Sequence, residues 1–115
     1  MTAPTPPVRA ATTFTDAQRS MLRTMLEEQR NFRIEQIRQP LPARGRAQTE
    51  ADREVASAIL QAAQIALRDI DAALARMDNG TYGKCVRCGH RMRVERLEVL
   101  PQVALCMDCQ RRTAH

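Results

Sequence analysis

Two pairs of cysteines constrain this chain more than anything else in it. Cys85-Val-Arg-Cys88 and Cys106-Met-Asp-Cys109 are both C-x₂-C, and seventeen residues separate them. That spacing reads as a metal site, because each short turn aims two sulfurs at one point and two turns complete a tetrahedron. Four thiolates around a dication leave a net charge of about −2, and Lys84, Arg87 and Arg91 stand beside the first pair to offset it. We therefore expect Cys85, Cys88, Cys106 and Cys109 to hold one structural zinc ion (Zn2+). Mononuclear iron takes the same ligand set. A redox C-x₂-C wants a βαβ context that the flanking sequence lacks, and paired disulfides suit a secreted chain. His90 could replace a sulfur but reads as a loop residue of the site.

A filled four-sulfur shell leaves no position for a reacting water, so the metal is not expected to be catalytic. Both histidines lie in the cysteine-bearing segment, no nucleophile–base pairing is evident, and the four glycines make no phosphate-loop pattern. No enzyme is expected. Metal binding is instead the folding energy of a small segment, of order 10–16 kcal/mol for structural zinc. Within that segment Met92 and Val94 alternate as in a short strand, 96–100 suit one helical turn, and Pro101 ends it.

The segment before the cysteines is helical. Residues 14–39 contain no Gly or Pro and are rich in Leu, Met, Glu, Gln and Arg. Thr15 followed by Gln18 fits a capping box, and Pro40 and Pro42 end the run. A second helix is expected from about Thr49, capped with Asp52, to Asn79-Gly80. Its seam of Ala56, Ile59, Ala63, Ala66, Ile70, Ala73 and Met77 steps by alternating three and four residues, the rhythm of a coiled coil. The first helix answers with Leu22, Met25 and Phe32, interrupted by Gln29 and Gln36. The fold class expected is mainly α: an antiparallel two-helix coiled-coil hairpin followed by a small four-cysteine zinc-finger module. The boundaries are a flexible tail over 1–13, a hairpin over 14–79 with its tip at about 40–48, and a finger over 80–115. Two helices alone bury little apolar surface, so such a hairpin either dimerises into a four-helix bundle or projects from a stapled base. A monomer of the second kind is expected, with its hairpin seam holding independently of the metal.

Charge sharpens the partner question. Seventeen Arg and one Lys face thirteen acids, a net +5, and the finger carries most of the excess. Arginine in such number follows from compositional bias or from bidentate contact with carboxylate or phosphate. No window approaches the ~18 apolar residues of a membrane span, and the N-terminus lacks a basic region followed by an apolar one. A soluble cytoplasmic protein is expected.

Taken together, Gly80-Thr-Tyr-Gly83, Cys85-x₂-Cys88-Gly89, Arg96-Leu97-Glu98, Pro101 and Cys106-x₂-Cys109, behind a helical hairpin, resemble the DksA/TraR family of bacterial transcription regulators. The resemblance covers roughly 14–112 and is most specific over 80–110. It implies a partner, RNA polymerase, whose secondary channel the coiled coil enters while the zinc module sits at the rim. It also implies zinc ligation by the four cysteines, with Tyr82 and the Arg96–Glu98 stretch packing the finger. Better-known members carry Asp-x-x-Asp-x-Ala at the hairpin tip. Here Pro42 and Gly45 stand at the two aspartate positions, only Ala47 matches, and Arg38, Arg44 and Arg46 make the tip basic. The chain also runs only six residues past Cys109, so the long C-terminal helix of those members is not expected. Arg44, Arg46, Ala47 and Arg96 are the candidate partner contacts. Two other readings use the same residues: direct nucleic-acid binding through Arg87, Arg91, Arg93, Arg96, Arg111 and Arg112, and a zinc-stapled helical adaptor for another protein.

Overall fold

The computed structural model describes residues 14–38 and 49–113, so the expected tail, the expected tip with Arg44, Arg46 and Ala47, and the last two residues lie outside it. Among the described residues four helices follow one another: α1 (Asp16–Arg38), α2 (Glu50–Asn79), α3 (Val94–Val99) and α4 (Met107–Thr113). The long helices begin where local capping chemistry says they should. Thr15 Oγ1 accepts from the Gln18 backbone N–H at 3.0 Å, and Gln18 Oε1 accepts from the Thr15 N–H at 2.9 Å. Each side chain thereby satisfies a donor that the helix leaves open. Thr49 does the same for Asp52 at 3.0 Å. Gly80 stops α2 in the left-handed region at φ 84°, where its N–H bonds the Arg76 carbonyl.

The hairpin is antiparallel, and two ion pairs report its register. Arg23 meets Asp78 at 2.7 Å and Arg30 meets Asp71 at 2.6 Å. Contacts one heptad apart on α1 thus match contacts one heptad apart on α2, running the opposite way. Both pairs are largely solvated, so each contributes well under about 1 kcal/mol and specifies alignment more than stability.

Packing is concentrated at the base. Leu22, Leu26, Ile70, Ala73 and Met77 of the hairpin form one cluster with Tyr82, Met92 and Leu97 of the finger. The seam expected on α2 is largely the one observed, although Ile59 is exposed. On α1 the expectation needs correcting. Leu26 is fully buried whereas Phe32 is 62% exposed, with Met25 only packed against the cluster's edge. Leu22 and Leu26, four apart, face α2, and that choice turns Phe32 outward. The hairpin seam is therefore not independent of the finger, because its best-packed residues share a core with it.

Within the finger, the expected strand at Met92–Val94 is absent. Lys84 and Arg91 form a single isolated antiparallel bridge, Met92 is buried, and Val94 opens α3 instead. One alternating pair is too short to hold a ladder, and the extended backbone of Arg93 starts a helix directly. Gly83 adopts φ 90°, and a Cβ there would lie 2.6 Å from Cζ of Phe14. Only glycine suits both demands. The ring of Phe14 also packs against Tyr82, with centroids 5.6 Å apart. The start of α1 is thus pressed onto the finger.

Candidate zinc centre

The first cysteine pair sits on a turn closed by backbone hydrogen bonds. The Cys85 N–H donates to the His90 carbonyl at 2.8 Å, and the Gly89 N–H donates to the Cys85 carbonyl at 2.9 Å. Gly89 takes φ 79° to make the turn. The second pair straddles the start of α4. Cys106 Sγ accepts from the Cys109 N–H at 3.4 Å, and the Cys106 carbonyl accepts from the Gln110 N–H at 2.8 Å. A sulfur here does the capping work usually left to Ser, Thr, Asp or Asn. The two pairs are tied by the Val86 N–H, which donates to the Ala104 carbonyl at 2.9 Å.

These turns bring all four sulfurs within 4.8 Å of one another. A zinc tetrahedron with bonds of ~2.3 Å has sulfur–sulfur edges of ~3.8 Å. Cys88 Sγ and Cys106 Sγ lie 3.8 Å apart. The donor set fits one structural zinc ion. Considered as thiols alone, the cysteines conflict. Burial raises the pKa of Cys85, but hydrogen bonds from the backbone at Cys106, Cys88 and Arg87 outweigh it and bring the thiol down to about 5. Burial first, and then the sulfurs of Cys106, Cys85 and Cys88, push Cys109 up to about 12. A dication at the centre removes the conflict by stabilising every thiolate at once. His90 is exposed, with Nδ1 3.2 Å from Cys88 Sγ, so it stands behind a ligand rather than in place of one.

Comparison with known proteins shows what this arrangement is similar to. Residues 80–113 match the family described as the prokaryotic dksA/traR C4-type zinc finger. The fold as a whole is similar to the structure of transcription factor DksA2 from Pseudomonas aeruginosa, with a TM-score of 0.72 at 26% identity, covering 90% of this chain and 88% of that one. The segment that carries the four cysteines is of the dksA/traR zinc-finger type. Over 43 residues the chain is 44% identical to an uncharacterised protein of Aquifex aeolicus (strain VF5), and over 44 residues 36% identical to the RNA polymerase-binding transcription factor DksA of Haemophilus influenzae (strain ATCC 51907 / DSM 11121 / KW20 / Rd). Each match spans 30% of the relative's length and 37% or 38% of this chain.

In this finger Arg96, Arg76 and Tyr82 brace the elements around the cysteines. Arg96 donates from Nη2 to the Leu105 carbonyl at 3.1 Å and places Nη1 3.0 Å from Met107 Sδ, tying α3 to the start of α4. Arg76 of α2 reaches the Val103 carbonyl at 3.4 Å, a hairpin-to-finger tie that sequence reading does not show. Phe14 is a second such residue, since nothing near it in the chain points to a partner at Gly83. Tyr82 is buried and donates its hydroxyl to the Pro101 carbonyl at 2.8 Å. Burial pushes its pKa up to about 12, against the opposing pull of Arg76, so the phenol keeps its proton. Tyr82→Phe leaves that carbonyl without its partner and should cost about 1–2 kcal/mol. Urea unfolding should show the lowered midpoint with zinc content unchanged.

Proposed function

We propose that this chain regulates transcription by binding RNA polymerase, its hairpin entering the enzyme's secondary channel and its zinc finger resting at the rim. Cys85, Cys88, Cys106 and Cys109 are the zinc ligands in this reading. The division into tail (1–13), hairpin (14–79) and finger (80–115) belongs to it as well. The observation that carries it is the shared core at the hairpin base, which fixes a long projecting probe to a metal-stapled foot. The printed name of the Haemophilus relative supports the choice of partner. No described helix is long and apolar enough to cross a membrane.

Direct nucleic-acid binding draws less support. Of the finger's arginines, Arg87 is bonded to Thr113, Arg96 is held internally and Arg111 is paired with Asp108. Each engaged guanidinium is one fewer free for phosphate. The test is gel filtration of the zinc-loaded chain with core RNA polymerase from its own host. A stoichiometric complex is expected, lost when the metal is chelated. Arg44→Ala/Arg46→Ala should keep the complex but alter its effect on initiation, because a basic tip is drawn to carboxylates and repelled by cations. Steeply salt-dependent binding to duplex DNA with no polymerase complex would replace this reading with the direct one.

A further inference from the structure

The finger contains an open groove beside the zinc site, bordered on that side by Cys106 and His90. It lies between α3 and the start of α4 and has a volume near 670 Å³, within the range of about 300–1,000 Å³ typical of binding sites. Met92 forms its buried floor, and Val99, Leu100 and Met107 stand on its walls. Val99 is 75% exposed and Met107 55% exposed. Apolar side chains gathered in water around one opening mark an interaction site more often than chance, and methionine adapts to varied partners. The groove is also held open. Arg96 spans from α3 to Leu105 and Met107, so the two walls are braced before anything binds.

The charges at the rim say what fits. Arg91, Arg93, Glu95 and Asp108 all border the groove. Asp108 is already paired with Arg111, whereas Arg91, Arg93 and Glu95 make no ion pair among the described residues, so the free rim charges are net basic. Two uncommitted guanidiniums above an apolar floor suit a carboxylate carried beside an apolar side chain. Nucleic acid fits less well, because no Phe, Tyr or Trp lines the groove for base stacking and two acids border it.

We propose that the groove between α3 and α4 docks a short acidic segment of a partner protein, with one leucine-sized side chain between Val99 and Met107 and a carboxylate on Arg91 and Arg93. The proposal is independent of the polymerase reading, since its test uses no polymerase. A fluorescein-labelled hexapeptide of alternating glutamate and leucine is titrated into the zinc-loaded chain, followed by anisotropy and backbone amide shifts. Saturable binding is expected, with shifts concentrated over 90–108. Val99→Ser/Met107→Ser should weaken it by about tenfold or more, and Arg91→Gln/Arg93→Gln should weaken it and flatten its salt dependence. Zinc content and circular dichroism establish that the variants fold, as expected for exposed positions such as Val99, Met107 and Arg93. The proposal is overturned by equal affinity for an all-glutamate hexapeptide, by tighter binding of a single-stranded oligonucleotide, or by unchanged binding in either double variant. Absence of saturation by about 1 mM peptide would overturn it too.

Discussion

Chelation of the zinc is expected to unfold the finger and to loosen the lower half of the hairpin with it. Structural zinc supplies an apparent ~10–16 kcal/mol at neutral pH, as much as or more than the ~5–15 kcal/mol that holds a whole domain together. The finger has little else. Among the described residues its regular structure is α3, α4 and one isolated bridge. Its buried residues Tyr82, Met92 and Leu97 are also the lid over Leu22, Leu26, Ile70, Ala73 and Met77. Losing that lid exposes the best-packed part of the hairpin, so the helical circular dichroism signal should fall along with the finger. A seam independent of the metal would instead keep the helical signal near its starting value. Substitution should show a graded version of the same loss. Cys109→Ser removes a buried ligand with no substitute nearby, and should abolish stoichiometric zinc. Cys88→Ser removes an exposed one that has His90 Nδ1 3.2 Å away, and should retain weak zinc binding through the imidazole. Metal analysis after dialysis separates the two, and equal retention would show that His90 offers no replacement.

Features fixed by local chemistry were legible in the sequence, and features fixed by distant packing were not. The helix starts at Thr15 and Thr49 depend on side chains three residues away, and Gly80 depends on its own backbone freedom. The metal site depends on two turns of fixed spacing. By contrast, Leu22, Met25, Leu26 and Phe32 offer two equally regular stripes on one helix. Only contact with α2 selects the stripe containing Leu26 and leaves Phe32 in water. Phe14 is a further case, because its partner Gly83 is almost seventy residues away in the chain. The cap on α4 was hidden for a chemical reason. Cys106 performs it with a sulfur already assigned to the metal, so the short helix Met107–Thr113 carries no ordinary start signal. Arg96 was legible as a finger residue, but its strut between α3 and Met107 emerges only once the second cysteine pair folds back beside it.

Leu97→Ala should be the most damaging change outside the cysteines. Leu97 is fully buried and is the one buried residue of α3, the point at which that short helix enters the common core. A buried Leu→Ala substitution typically costs about 2–5 kcal/mol, part lost burial and part unfilled cavity. The upper half of that range is expected here. The neighbours that would have to close the gap are Tyr82, hydrogen-bonded to Pro101, and hairpin residues held by a second helix. At about 4–8 °C per kcal/mol for a domain of this size, Tm should drop by at least about 10 °C. Val99, two positions on in the same helix, provides the contrast. It is 75% exposed, so Val99→Ala should change stability by no more than about 0.5 kcal/mol. Zinc stoichiometry should remain one per chain in both variants, because neither side chain belongs to the four-sulfur set. Equal effects at the two positions would mean that α3 rests against the hairpin without sharing its core. A large loss at Leu97 with finger and hairpin melting in a single transition would show the metal-stapled foot and the helical probe to be one cooperative unit.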